Sequence, residues 1–78
     1  YVADFYMREE EWSSALGRFE SVLKKYPESK FLKRALLGAV VAAHRDKNVR
    51  KTEQYFNRLS EVAPKSSELE KAQKELKR

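Results

Sequence analysis

Tyr26-Pro27 and Ala63-Pro64 lie 37 positions apart, and the same offset pairs Ala15 with Thr52, Phe19 with Phe56, Val22 with Leu59 and Ser29 with Ser66. Self-similarity at a period of roughly 34 to 40 residues is the mark of one two-helix unit copied and stacked. The repeat therefore limits the chain to an all-α fold of stacked helical hairpins before any single residue is weighed. Such arrays bury a core between neighbouring units and present an extended surface, which points to binding rather than chemistry.

Hydrophobic periodicity places the helices. Trp12, Ala15, Leu16, Phe19, Val22, Leu23 and Tyr26 follow the i, i+3, i+4, i+7 spacing of one apolar stripe. Pro27 follows the last of them, and a proline disfavours helical geometry in the residue before it. A second helix is expected from about Ser29 to His44, with Leu32, Ala35, Leu36, Ala39, Val40 and Ala43 on one face; its small residues permit close approach. Asn48 is a suitable N-cap for a third helix with the stripe Val49, Thr52, Phe56, Leu59 and Ala63, again closed by a proline. Ser67 and Glu70 have capping-box spacing and open a last helix carrying Leu69, Ala72 and Leu76, with Glu70 to Lys74 and Lys71 to Glu75 as i, i+4 pairs. Tyr1 to about Arg8 carries Val2, Ala3, Phe5 and Tyr6 in helical register over about two turns. The resulting division is one domain: a first repeat over 1–27, truncated at its front, a second over 28–64, and a polar capping helix over 65–78.

Composition narrows the function. A chain of 78 residues has room for one domain, and 41% hydrophobic against 37% charged residues suits amphipathic helices in water. With no cysteine there is neither a disulfide framework nor a thiolate metal site, and the redox compartment stays open. His44 is the only histidine, so it lacks a second imidazole for a metal site and a partner for nucleophilic catalysis. No glycine-rich phosphate loop is present and no serine has a base placed by spacing. Neither catalysis nor a cofactor is expected. The chain opens at Tyr1 without an initiator Met, has no apolar run near 18 residues and shows no signal-peptide pattern, so it reads as a piece of something longer.

The pattern Trp12, Ala15, Phe19, Val22, Pro27, with Tyr6 at the tyrosine position of the preceding helix, resembles the tetratricopeptide repeat across residues 1 to 64. Within that class, Val2-Ala3-Asp4-Phe5-Tyr6 followed by Trp12, Ala15, Arg18, Val22 and Tyr26-Pro27-Glu28-Ser29 is similar to the C-terminal repeats of the BamD/YfiO outer-membrane assembly lipoprotein family. The spacer Ser29-Lys30-Phe31 also suits that family. The resemblance implies a non-catalytic protein-interaction scaffold in outer-membrane β-barrel protein assembly. It implies a periplasmic, outer-membrane-associated location through a lipid-bearing cysteine outside these residues, and BamA periplasmic domains or other assembly subunits as partners. Two departures stand out. The glycine usual before the second helix of each unit is Glu10 in one copy and Lys47 in the other, so looser or differently wound turns are expected; Ala43 stands where the first copy has Tyr6.

Matching the repeat pattern position by position puts Arg34, Leu37, Val41, His44 and Arg45 on the groove-lining face. Leu37 and Val41 are apolar off the main stripe, and a helix apolar on two faces must be covered on both. Either a partner binds there, or the last helix or a neighbouring repeat covers them. His44 fits a helix C-terminus, where the dipole favours an imidazolium. The resemblance makes Arg18 a candidate ion-pair contact to BamA, against the plainer reading of local pairing with Glu11 or Glu20. Arg45, Lys47, Arg50 and Lys51 gather at the second turn, opposite in sign to Glu9, Glu10 and Glu11 at the first; they are either a solvated turn or a landing patch for an acidic partner. Ten basic and six acidic residues in positions 40–78 also raise a rival reading, a basic module binding nucleic acid or another polyanion. Against it, the aromatic residues are used in the repeat core rather than interleaved with the basic ones.

Overall fold

A computed structural model describes residues 11–26 and 31–77, and these residues form four helices and no strand. They are α1 (Trp12–Lys25), α2 (Leu32–Arg45), α3 (Val49–Val62) and α4 (Ser67–Leu76). The expected helix over Tyr1 to Arg8, the turn at Glu10, and the start of the second helix at Ser29 lie outside the described residues. The architecture is all-α and of the stacked-hairpin kind, because short connections fold neighbouring helices back on one another.

The centre of the fold is α2. It packs against α1, α3 and α4, and α3 also packs against α4. Contact on three sides requires a helix with little side-chain bulk. Ala35, Ala39, Ala42 and Ala43 are all buried, and Leu36 and Val40 are fully so. Ala42 lies off the stripe read from the sequence, yet its exposure is zero because α2 is covered on more than one side. Leu59 of α3 and Leu16 and Leu23 of α1 join the core, each contributing about 1.5–3 kcal/mol by leaving water.

A close approach joins α1 and α2. The Phe19 ring points at Gly38, where an added Cβ would overlap the ring's Cζ and both Cε atoms. No side chain fits there while the ring is in place. Phe56, the repeat counterpart of Phe19, is likewise half-buried against the core. The counterpart of Gly38 is Glu75, which is buried.

Three expected positions turn out differently. Val49 is 68% exposed and Tyr55 takes its place in the stripe at 7%, because Val49 is the first residue of α3 and projects past the end of the core. Tyr26 is 61% exposed, since it stands at the C-cap of α1 with φ −132° and has already left the helical path. The cap of α4 is Ser66, whose Oγ accepts from the Leu69 N–H at 3.1 Å; the helix begins at Ser67, so Glu70 falls one place beyond the reciprocal capping-box position.

The turn between α2 and α3 is tight despite its lysine. Lys47 adopts φ +61°, the Lys47 N–H donates to the His44 carbonyl at 3.1 Å, and the Asn48 N–H donates to the Ala43 carbonyl at 2.9 Å. These two bonds make a Schellman ending with lysine in the left-handed position that usually holds glycine. The loosening expected from the missing glycine does not occur there. Asn48 then caps α3 as expected, its Oδ1 accepting from the Lys51 N–H at 3.2 Å.

Two glycine substitutions should have opposite signs. Gly17 faces open space, so Gly17→Ala should stabilise by about 0.5–1 kcal/mol through helix propensity alone. Gly38→Ala gains the same propensity but overpacks the Phe19 contact at a cost of about 1–3 kcal/mol, giving a net loss. Urea unfolding of the two variants checks this; stabilisation of both would show that the ring gives way freely.

Candidate functional site

The residues selected from the sequence spread over three helices. On α2, Arg34 is exposed while Leu37, Val41 and His44 are half-buried. Leu37 packs against the core, and Leu37, Val41 and Arg45 form one i, i+4 row whose last member reaches α4. Arg18 is exposed on α1, and Arg50 is exposed in the first turn of α3. His44 lies in the last turn of α2, where its backbone carbonyl receives the turn hydrogen bond from Lys47.

Arg45 is engaged inside the molecule. Its Nε and an Nη donate to the two Glu75 carboxylate oxygens at 3.0 and 3.1 Å, and its guanidinium carbon stands 5.0 Å from the centroid of the Trp12 ring. A bidentate pair with a stacked ring uses the planar fork that only arginine supplies. One side chain thus ties α1, α2 and α4 together. The Glu75 carboxylate is buried, and the Arg45 pair from across the bundle offsets its desolvation.

A second polar cluster joins α1 to α3. The Tyr55 hydroxyl donates to Glu20 Oε2 at 2.5 Å, and Lys51 Nζ donates to Glu20 Oε1 at 3.0 Å. Partial burial raises the Glu20 pKa, but the hydrogen bonds from Tyr55 and Lys51 and the lysine charge more than offset this and hold the carboxyl below its ordinary 4.5. Burial, followed by the hydrogen bond to Glu20 and its negative charge, pushes Tyr55 up to about 12, with Arg58 opposing weakly. Neither cluster is visible as a local motif, because its members stand 30 to 35 positions apart. Of the four cations at the second turn, Arg45 and Lys51 are held in these pairs, while Lys47 and Arg50 are exposed. Glu20 receives both of these bonds from α3.

Two surface depressions accompany these clusters. One, of about 580 Å³, lies between the start of α2 and the α3–α4 turn, and its lining includes Leu32, Lys33, Val62, Pro64 and Lys65. The other, of about 240 Å³, lies between the α2–α3 turn and the end of α4 and is lined by His44, Lys47, Val49, Thr52, Glu53 and Leu76. Among the described residues no group of three or more His, Asp or Glu side chains is arranged to hold a metal ion. No described helix is long and apolar enough to cross a membrane, and every buried side-chain nitrogen and oxygen among them has a hydrogen-bond partner.

The geometry is that of a helical-hairpin array whose polar groups tie helices together. The family model described as YfiO, outer membrane lipoprotein, matches residues 1–59, three quarters of the chain. The chain belongs to the YfiO family. Its matched part includes α1, α2 and most of α3. Comparison with curated proteins and with solved structures returns no match.

The Glu20 cluster makes stability depend on pH at both extremes. Glu20 has a lowered folded-state pKa, so its contribution is complete above about 4.5 and is lost as pH falls through the lower folded value. Tyr55 has a raised one, so its contribution is complete below about 10 and is lost as pH rises through about 12. Tyr55→Phe should cost about 1.5 kcal/mol near neutral pH, the lower end for a hydrogen bond to a charged group. The stability gap between parent and variant should narrow from pH 10 towards 12; a constant gap in denaturant melts would contradict the assignment.

Proposed function

We propose that the chain is a non-catalytic protein-interaction scaffold of the tetratricopeptide type, acting in outer-membrane β-barrel protein assembly. The observation that carries this reading is YfiO-family membership over residues 1–59, together with a fold of stacked helical hairpins. The repeat division at 1–27, 28–64 and 65–78 belongs to the same reading. It is supported by continuation of the 37-residue period into α4, where Leu69 and Ala72 repeat Leu32 and Ala35 and all but Leu32 are buried. On this reading α4 stands in the position of a first helix of a further unit.

The partner surface has two parts. Arg34, Leu37, Val41 and His44 form the face of α2 that offers half-buried apolar groups beside an exposed cation. Such a face suits an interface in which apolar anchors are ringed by polar groups. Arg18 on α1 and Arg50 on α3 add charge that speeds encounter more than it tightens the complex. Arg45 serves as the frame of this surface through Glu75 and Trp12 rather than as a free contact. The partners are BamA periplasmic domains or other assembly subunits, and the location is the periplasmic side of the outer membrane, reached through a lipid anchor. Catalysis has no part in this reading, which rests on a surface built from arginine, histidine and aliphatic side chains.

Calorimetric titration with purified BamA periplasmic domains tests it. The parent chain should bind, Arg18→Glu and Val41→Ser should each weaken binding at least about tenfold, and both variants should keep their thermal midpoints within a few degrees. If no periplasmic domain binds while a DNA oligonucleotide binds with a steep salt dependence, the chain is a polyanion-binding module instead.

A further inference from the structure

We propose that the end of the bundle holding the end of α1, the start of α2 and the α3–α4 turn rests on an anionic bilayer surface, its exposed apolar side chains entering the headgroup layer and its lysines meeting lipid phosphates. This adds a contact of the folded domain itself to attachment through a lipid anchor, and it stands whether or not the barrel-assembly reading does.

The first observation is where the exposed apolar groups lie. Tyr26 is 61%, Phe31 57% and Val62 46% exposed. Tyr26 follows the last residue of α1, Phe31 precedes the first residue of α2, and Val62 ends α3. Leu32 and Lys33 share the lining of one depression with Val62, Pro64 and Lys65, so the start of α2 and the α3–α4 turn are neighbours at one end of the bundle. Among the described residues the other large hydrophobic side chain of this exposure is Val49, at the opposite end.

This openness belongs to the way hairpins stack and not to the ends of the array. Phe31 and Val62 belong to the unit that has α1 on one side and α4 on the other, and Tyr26 has the whole second hairpin after it. Lys25, the 37-residue counterpart of Val62, has α2 and α3 beyond it and is exposed as well. Stacked neighbours cover the faces of a hairpin and leave its connections in contact with solvent.

Charge and side-chain type select the occupant. Lys24, Lys25, Lys33 and Lys65 are exposed at this end, and no ion pair among the described residues uses them. Arg34 adds to them, against the carboxylates Glu61, Glu68 and Glu70. Tyrosine and phenylalanine settle at headgroup level, and lysine stems lie along apolar surface while their ammonium groups reach phosphate. The apolar tips come from three separate helix ends, so a fluid layer closes around them where a folded protein would need a matching relief. Membership of a family described as outer membrane lipoprotein supports lipid as the surface within reach.

Sedimentation of the 78-residue chain with vesicles tests the proposal. At about 0.1 M salt the chain should partition onto vesicles containing phosphatidylglycerol and far less onto pure phosphatidylcholine. Lys25→Gln, Lys33→Gln and Lys65→Gln should each weaken partitioning about fivefold. Tyr26→Ser combined with Val62→Ser should weaken it at least about tenfold. All should keep the parent's thermal midpoint within a few degrees, since the replaced side chains are exposed. Helices of 14 residues are about 21 Å long, roughly two Debye lengths at that salt. Lys47→Gln and Val49→Ser at the opposite end should therefore change partitioning less than about twofold. Equal partitioning onto both vesicles, equal losses from substitutions at the two ends, or no partitioning would each overturn the proposal. If the Tyr26, Val62 and lysine substitutions weaken the BamA-domain titration and leave vesicle binding unchanged, this end is a protein contact and the lipid assignment fails.

Discussion

A phenyl ring seated on a glycine sets how near α1 comes to α2, and most of the remaining structure depends on that distance. With Phe19 against Gly38, the alanines of α2 lie within reach of neighbours on three sides, and Leu36, Val40 and Leu59 lose all contact with water. Small residues serve this purpose better than large ones because packing density falls whenever a gap narrower than a water molecule is left. A bulkier α2 would hold its neighbours apart, and the thin apolar faces of α3 and α4 would not bridge the space. The half-buried Leu37 and Val41 and the exposed Arg45 are held in one row by the same helix, which α1 and α3 grip.

Polar pairs then connect what the apolar core leaves loosely joined. Arg45 reaches both Glu75 and Trp12, and Glu20 receives both Lys51 and Tyr55. In each case a partly buried carboxylate is held by groups from other helices. A half-satisfied carboxylate at such a site would cost more than the pair contributes, so these clusters act as conditions on correct stacking. They also remove two cations from the basic turn. The positive charge left uncommitted at that turn is therefore smaller than the net charge of +5 suggests.

The helices are legible in the sequence because their signal is local. Periodicity finds α1 and the buried face of α2, and Asn48 marks the start of α3 through a cap that acts within three residues. Tyr55 is also within reach, since it stands three after Thr52 and four before Leu59; the repeat offset draws attention to Phe56 instead. What escapes is long-range or conformational. Glu75 reads as a surface partner for Lys71 until a guanidinium 30 residues away is placed beside it. Lys47 reads as a loosened turn, yet two backbone hydrogen bonds hold it in the left-handed region. Of the residues chosen for binding, Leu37 and Val41 are half-buried on α2, and Arg45 proves to be a tie from α2 to α4 and α1.

Native-state hydrogen exchange measures most directly whether α2 is the helix on which the others rest. Amides from Leu36 to Ala43 should exchange only through global unfolding and be the slowest in the chain, while those of α4 open more readily by local detachment. If α2 amides instead exchange faster than those of α1 and α3, the helix is a passenger between two self-sufficient neighbours, and the fold does not depend on it.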